Sequence, residues 1–348
     1  MSSAAPAAST ASVLVTGGAG YIGSHAVLAL RDAGYRVTVI DDLSTGFRAA
    51  VPDGVAFYAG DVADGALVAK LVAAEQITAI MHFAGSIIVP ESVADPLKYY
   101  RNNTVASRAL IEAAVTGGVK HFLFSSTAAV YGMPDAVPIA EDNRKAPINP
   151  YGSSKLMTET MLADVAAVCA MNFGVLRYFN VAGADPAGRS GQSTAAATHL
   201  IKVAVEAALG KRAGVGVYGT DYPTPDGTGV RDYIHVSDLA DAHVATLAAL
   251  IAEPTRSLTM NCGYSRGYSV LEVLDAVDRV AGVKVQRTMS PRRAGDPAEL
   301  VADNRRILAT LDWVPKRADL DTIVADALSW ERKLGAAAGG IGHNSSAS

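Results

Sequence analysis

The stretch VLVTGGAGYIGSH, residues 13–25, decides the fold. A short run rich in β-branched residues passes into three glycines, Gly17, Gly20 and Gly23, in the spacing GxxGxxG. Each glycine answers a different steric demand: a tight turn, backbone approach to a pyrophosphate, and close packing of a helix on a sheet. A helix starting near Ile22, just after Tyr21, then points its amide groups and the positive end of its dipole at the anion.

On either side of this turn the same rhythm repeats. SVLVT, RVTVI, VAFYAG, TAIMHFAG, HFLFSS and FGVLRYF read as strands apolar enough to be covered on both faces. Helical patterns over 22–33, 65–75, 96–116 and 150–171 separate them, with Gly34 and Gly117 placed for left-handed caps. The expected fold class is α/β, a Rossmann-like doubly wound parallel sheet over 12–180. Beyond Asn180 the rhythm breaks into the loop VAGADPAGRSGQS, a helix over 198–209, the turn-laden GTDYPTPDGTGVRDYIHV, a helix over 270–281, a strand over 283–287 and a terminal helix. A smaller C-terminal α/β domain over 181–335 that shapes a substrate pocket is expected, with 231–252 packing back on the sheet domain.

The chain of 348 residues is half hydrophobic, enough for a substantial core. Its formal charge of −4, with acids and bases interspersed, disfavours nucleic acid and lipid partners. Residues 1–11 and 336–348 are small and polar and read as disordered tails without the features of a targeting signal. No apolar run approaches a membrane span, so a cytoplasmic protein is expected. Cys169 and Cys262 lack ligand or redox spacing, which leaves no metal site in view.

The strand RVTVI ends in Asp41, about 20 residues past the turn, where an acid accepts hydrogen bonds from ribose hydroxyls and repels a 2′-phosphate. NAD is favoured over NADP; the competing reading makes Asp41 and Asp42 plain turn residues. Asp61, Phe83, Ala84 and Gly85 also fall at carboxyl ends of strands, where such sheets bind ligands, whereas His82 reads as a core histidine.

In NPYGSSK, residues 149–155, Asn149 suits an N-cap and Pro150 the first helical position. Tyr151 and Lys155 then share one helix face, and an ammonium beside a tyrosine stabilises its phenolate. Alone this pattern is as readily a solvated helix face. Hydroxyls at Ser125, Ser126 and Thr127 on the sheet edge change the balance: hydroxyl, tyrosine, lysine and NAD together can move a proton and a hydride from one carbinol carbon.

These residues, with TGGAGYIGSH, HFAG, SSTAAVYG, LRYFNVAGADP, DYPTPDGTGVRDYIHV and RRAGDP, give a chain that resembles the extended short-chain dehydrogenase/reductases and, within them, the UDP-glucose 4-epimerase family. The resemblance spans nearly everything between the tails. It implies that Tyr151 removes the proton of the sugar 4-hydroxyl, that Thr127 bridges that hydroxyl, that Lys155 tunes the tyrosine, and that C4 passes its hydride to tightly held NAD and recovers it on the other face. It adds Tyr21, Ile22, Val62, Asn102, Ser125 and Tyr178 to the cofactor side. Phe179, Asn180, His199, Leu200, Val217, Tyr218, Arg231, Arg293, Asp296 and Leu300 fall on the UDP-sugar side, and a homodimer joined through a helical bundle is implied.

Two departures stand out: Ile87 lies where many relatives carry a lysine, and Thr127 where serine is usual. Leu300, smaller than tyrosine, suggests UDP-glucose and UDP-galactose as main substrates with some tolerance for N-acetylated sugars. A 4,6-dehydratase is disfavoured because Ala128 and Ala129 stand where elimination needs an acid and a base. A non-catalytic NAD-binding regulator is the remaining alternative.

Overall fold

The computed structural model describes residues 11–194, 197–293 and 295–340. Seven parallel strands form the main sheet: β1 (Ser12–Thr16), β2 (Arg36–Asp41), β3 (Ala56–Ala59), β4 (Ala79–His82), β5 (His121–Thr127), β6 (Asn172–Tyr178) and, after three short strands, β10 (Leu258–Cys262). Their order is β10-β6-β5-β4-β1-β2-β3. From β1 the chain builds outward to β3 and then crosses to β4 on the other side, so a crevice opens between β1 and β4 at the carboxyl edge.

Alternation along the strands supplies two cores. Val13, Val15, Val39, Met81, Leu123 and Leu176 face the helices Tyr21–Asp32 and Val236–Ala252. Leu14, Ile40, Ile80, Phe122, Phe124 and Val175 face the opposite layer, which includes the helices Gly65–Ala74, Ala106–Thr116 and Pro150–Ala166. Burial on both faces is why these strands read as unbroken apolar runs, and each fully buried large aliphatic side chain contributes about 1.5–3 kcal/mol.

The remaining strands are β7 (Asn180–Ala182), β8 (Val215–Tyr218), β9 (Val230–His235), β11 (Gly267–Ser269), β12 (Arg287–Ser290) and β13 (Glu299–Leu300). β9 is their hub, pairing with β7, β11 and β13, while β8 and β12 form a separate parallel ribbon. A third core, around Val205, Val217, Tyr233, Leu274 and Leu328, joins them to the helices Leu200–Ala208, Val270–Ala281 and Leu320–Gly340.

Several boundaries depart from expectation. The helix expected over 96–116 is Pro96–Tyr99, a wider π-helical turn Tyr100–Val105, and Ala106–Thr116. Its left-handed residue is Gly118, at φ +74°, rather than Gly117. The helix expected to reach residue 171 ends at Ala166. The strand expected over 283–287 forms at Arg287–Ser290, because the Val285 amide is held by Asp278 Oδ1 at 2.8 Å and the chain extends only after that tether. The terminal helix runs through Gly340, past the boundary drawn at 335. Most of the two expected tails lies outside the described residues.

Candidate active site

At the carboxyl end of β1, Gly17 adopts φ +69°, a conformation that side chains disfavour. A Cβ there would lie 2.7 Å from the Ala84 amide nitrogen, and a Cβ on Gly23 would lie 2.1 Å from the Gly17 carbonyl oxygen. Turn, helix and the end of β4 are thus in backbone contact. Gly20 is the N-cap of Tyr21–Asp32; no side chain caps the first amides and no acid occupies the first turn. Uncapped amides at the positive end of a helix dipole, behind a glycine cradle, fit a pyrophosphate. Tyr21 itself turns away, its hydroxyl donating to the Gly183 carbonyl at 2.7 Å.

Asp41 closes β2 with both oxygens anchored, Oδ2 accepting from the Ala19 amide and Oδ1 from the Leu43 amide, each at 2.9 Å. Burial pushes its pKa up and the two amides push it back. The fixed carboxylate keeps lone pairs for a ribose diol beside the glycine turn. Asp42 is engaged differently: its Oδ1 accepts from the Ser44 amide and hydroxyl at 2.9 and 2.6 Å, which makes it a turn residue. Asp61 likewise accepts from the Ala63 amide at 2.8 Å, and Val62 is packed in the core. Phe83 lies against His243, with ring centroids 4.8 Å apart.

His82 is structural. Its Nδ1 pairs with Thr16 Oγ1 at 2.7 Å and its Nε2 with Ser107 Oγ at 2.8 Å, and burial pulls its pKa down to about 3.

At the neighbouring strand end, Asn149 Oδ1 accepts from the Gly152 amide at 2.9 Å and starts the helix Pro150–Ala166. This entry brings Tyr151 to Thr127, whose hydroxyl lowers the tyrosine's pKa while accepting from the Ala129 amide at 3.1 Å. Lys155 is only 3% exposed; its Nζ donates to the Ser125 carbonyl at 3.0 Å and lies 4.9 Å from the Phe124 ring centroid. Burial pulls Lys155 down to about 8, with the Glu159 carboxylate opposing. Burial also raises Tyr151, and the Thr127 hydroxyl draws it back. In the free protein burial therefore outweighs the expected tuning of Tyr151 by the ammonium. Ser125 and Tyr178 are joined through their hydroxyls behind this pair. Gly85, at φ +151°, closes the arrangement: a Cβ there would meet Asn103 Oδ1 at 2.9 Å and Lys155 Nζ at 3.9 Å.

On the facing domain, β13 pairs with β9 so that Leu300 lies opposite Arg231. Leu300 packs with Phe179, Leu156 and the cluster Ala128, Val130, Tyr131 and Ile139, next to the Thr127 strand end. Arg231 Nη2 donates to Asp296 Oδ1 at 2.5 Å, and the Arg293 guanidinium stands 3.8 Å from the Tyr218 ring centroid. Asn180, His199 and Leu200 line one cavity with Gln192, whose Nε2 is 2.8 Å from His199 Nδ1. Val217 is fully buried in the third core, so its side chain is withdrawn from any ligand and only its main chain is available.

A family model described as the NAD dependent epimerase/dehydratase family matches residues 13–263. The chain belongs to this family. It is 56% identical over 330 residues to a UDP-glucose 4-epimerase of Azospirillum brasilense, covering 95% of this chain and 94% of the relative. Its fold is similar, with a TM-score of 0.91 and 39% identity, to a UDP-glucose-4-epimerase from Stenotrophomonas maltophila with bound NAD and formylated UDP-arabinopyranose, covering 94% of this chain and 99% of that one. A UDP-Glc/GlcNAc 4-epimerase from Campylobacter jejuni gives a TM-score of 0.82 at 44% identity, covering 93% and 99%.

Set within this epimerase/dehydratase frame, two groups of residues escaped the sequence reading. Asn102 donates to Ser86 Oγ at 3.1 Å, but its neighbour Asn103 is the buried connector: its Oδ1 accepts from the Ser86 amide at 2.7 Å and its Nδ2 donates to Ser154 Oγ at 3.0 Å. The π-helical turn carrying both aims Asn103 inward, and nothing in NN distinguishes the two residues beforehand. Glu159 and Arg177 form a buried ion pair behind the Ser125–Thr127 strand end. Glu159 recurs four residues after Lys155 on the same helix face, a spacing that could have flagged it.

Proposed function

We propose that the chain interconverts UDP-glucose and UDP-galactose by 4-epimerisation, and that it accepts the N-acetylated pair more slowly. The observation that carries this reading is Tyr151 set against the Thr127 hydroxyl beside buried Lys155, next to a glycine cradle that fits a dinucleotide. When bound, NAD supplies a reversible hydride acceptor for the sugar C4. Gly17, Gly20, the first amides of Tyr21–Asp32 and Asp41 would hold it, and Gly85, Asn103 and Lys155 would border its reactive end.

As its phenolate, formed by release of its own proton before the step, Tyr151 takes the proton of the 4-hydroxyl, with Thr127 bridging that hydroxyl, and returns it once the sugar has presented its other face. Lys155 keeps a positive charge near that proton, which favours the phenolate in transit. The arginines suit the diphosphate: Arg231, already oriented by Asp296, and Arg293 offer planar paired donors. Ala128 and Ala129 leave no acid or base after Thr127 to expel water, so the sugar keeps its 6-hydroxyl.

A second copy of the chain fits the continuous helical run 96–105, made of Pro96–Tyr99 and Tyr100–Val105, together with Pro150–Ala166. Leu97, Val105 and Met157 are 77, 57 and 44% exposed there, and Thr104 Oγ1 at 3.7 Å from Met157 Sδ sets the two elements side by side. We assign the chain to the cytoplasm, consistent with its unpaired cysteines. Purified protein mixed with UDP-galactose and no added NAD should form UDP-glucose. No product from either hexose pair, with NAD supplied, would sink the reading.

A further inference from the structure

Behind the Ser125–Thr127 strand end lies a closed polar cluster to which the proton-transfer scheme assigns no task. Glu159 Oε1 accepts from Ser126 Oγ at 2.5 Å and from Arg177 Nε at 3.0 Å, and Oε2 accepts from Arg177 Nη2 at 2.6 Å. Arg177 Nη1 donates to Tyr131 Oη at 3.0 Å and to the Glu141 carbonyl at 3.1 Å. The Tyr131 hydroxyl in turn donates to Asn261 Oδ1 at 2.7 Å. In the β5–β6 register Ser126 lies opposite Arg177 and Thr127 opposite Tyr178. Alternation along β5 sends Ser126 to the face opposite Ser125 and Thr127. The Glu159 carboxylate therefore grips the strand residue between the Ser125 carbonyl that holds Lys155 and the Thr127 hydroxyl that acts on Tyr151.

Stability alone is a poor reason for this pair. Taking two charges out of water costs about what their attraction returns, and an apolar pair of similar volume serves as well. The placement of charge offers a better one. Around Lys155, His82 on β4 is held neutral by burial, as are the hydroxyls of Tyr151 on its own helix and Tyr178 on β6. Asn103 carries no charge, and the Arg177 guanidinium is taken up by Glu159. Among the described residues Glu159 is the carboxylate that acts on Lys155.

We propose that Glu159 is a positioning residue of the proton-transfer set: through Ser126 and Arg177 it fixes the Ser125–Thr127 strand end against the helix of Tyr151 and Lys155, and it sets a carboxylate one helical turn from Lys155 on the same face. The proposal rests on the epimerase reading for the step it serves, but its two elements are measured separately from that reading.

Ser126→Ala removes the tether and leaves the ion pair whole. It should lower kcat roughly three- to tenfold at unchanged KM, as a slightly misplaced catalytic pair does. An unchanged kcat overturns the proposal. The double variant Glu159→Gln with Arg177→Met removes the charge without stranding a buried guanidinium. Its alkaline limb of kcat against pH should move down by roughly one unit, the order of effect of one partly screened charge a helical turn away. The same shift is expected, without turnover, in the pH midpoint for reductive methylation of Lys155, read by mass spectrometry of its peptide. A midpoint and limb that stay at the parent's values overturn the proposal. Should the double variant not fold, Ser126→Ala decides alone. A parent chain that does not turn over UDP-hexoses would defeat the epimerase reading, and the methylation midpoint would still test Glu159.

Discussion

Replacing Gly23 by alanine separates a packing role from a permissive one. Gly23 is the third residue of Tyr21–Asp32 and has no positive φ, so its backbone accepts a side chain. At an open helical position Gly→Ala stabilises by about 0.5–1 kcal/mol. Here the new Cβ would lie 2.1 Å from the Gly17 carbonyl oxygen, 2.9 Å from its carbon and 3.0 Å from Gly18 Cα, all backbone atoms that cannot swing aside. Ordinary contact begins at 3.4 Å, so 3.4 less 2.1 requires the helix to retreat by about 1.3 Å from the turn it packs on. Overpacking of this kind costs about 1–3 kcal/mol, which leaves a net loss of roughly 1–2 kcal/mol after the helical gain. At about 2–4 °C per kcal/mol for a chain this large, Tm should fall by roughly 2–8 °C. Gly65 is the internal control: it opens the helix Gly65–Ala74, and nothing lies within 4 Å of its Cβ position, so Gly65→Ala should melt at or slightly above the parent. Calorimetry gives the melting temperatures, and acid release with chromatography gives nucleotide bound per chain. Gly23→Ala should lose both stability and nucleotide. If it matches Gly65→Ala in Tm and retains its nucleotide, the close-packing argument for this glycine is wrong.

Other outcomes follow from the same site. Tyr151→Phe should fold and hold nucleotide while kcat drops about 10²- to 10⁴-fold, the usual contribution of a positioned acid–base group; turnover assays on UDP-galactose check it. Lys155 titrates near 8 in the folded chain against an ordinary 10.5, with burial the main cause. The unfolded chain therefore holds the extra proton between those values, and stability rises with pH across that window. Lys155→Met should be more stable than the parent at pH 7, by up to roughly 3 kcal/mol, with the gap closing between pH 8 and 10.5. Urea titrations across that range read the gap, and a constant difference would contradict the assignment. Leu300→Tyr should lower turnover of UDP-N-acetylgalactosamine relative to UDP-galactose by about tenfold or more, measured as the ratio of kcat/KM values.

Six of the seven main strands were readable because parallel strands covered on both faces must be apolar throughout, as in Val13–Val15 and Phe122–Phe124. β10 was not readable. LTMNC is broken by Thr259 and Asn261, and Asn261 is buried only because Tyr131, Glu141 and Ile139 satisfy its polar groups from distant parts of the chain. Local pattern likewise placed the cap at Gly117, where the chain delays the left-handed residue by one position to Gly118. At the site, Tyr151, Lys155 and Thr127 announced themselves by spacing and strand-end position. Asn103 and Arg177 did not, since a π-helical turn and a buried ion pair arise from tertiary contacts that leave no periodic trace.

The late arrival of β10 has a consequence for biosynthesis. As the chain leaves the ribosome, β6 emerges at the sheet edge some 80 residues before the strand that covers it, because Gly174 to Tyr178 pair with Leu258 to Cys262. Until then its amides and carbonyls form an open ladder that a neighbouring nascent chain could join. The helix Val236–Ala252 emerges before β10 and lies against β5 and β6 once docked, so its arrival can shield that surface early. A fragment cut at residue 180 would lack both elements and keep the bare edge permanently. Gene-shuffling experiments should therefore move residues 230–262 together with the first 180, even though the chain passes through the second domain to reach them.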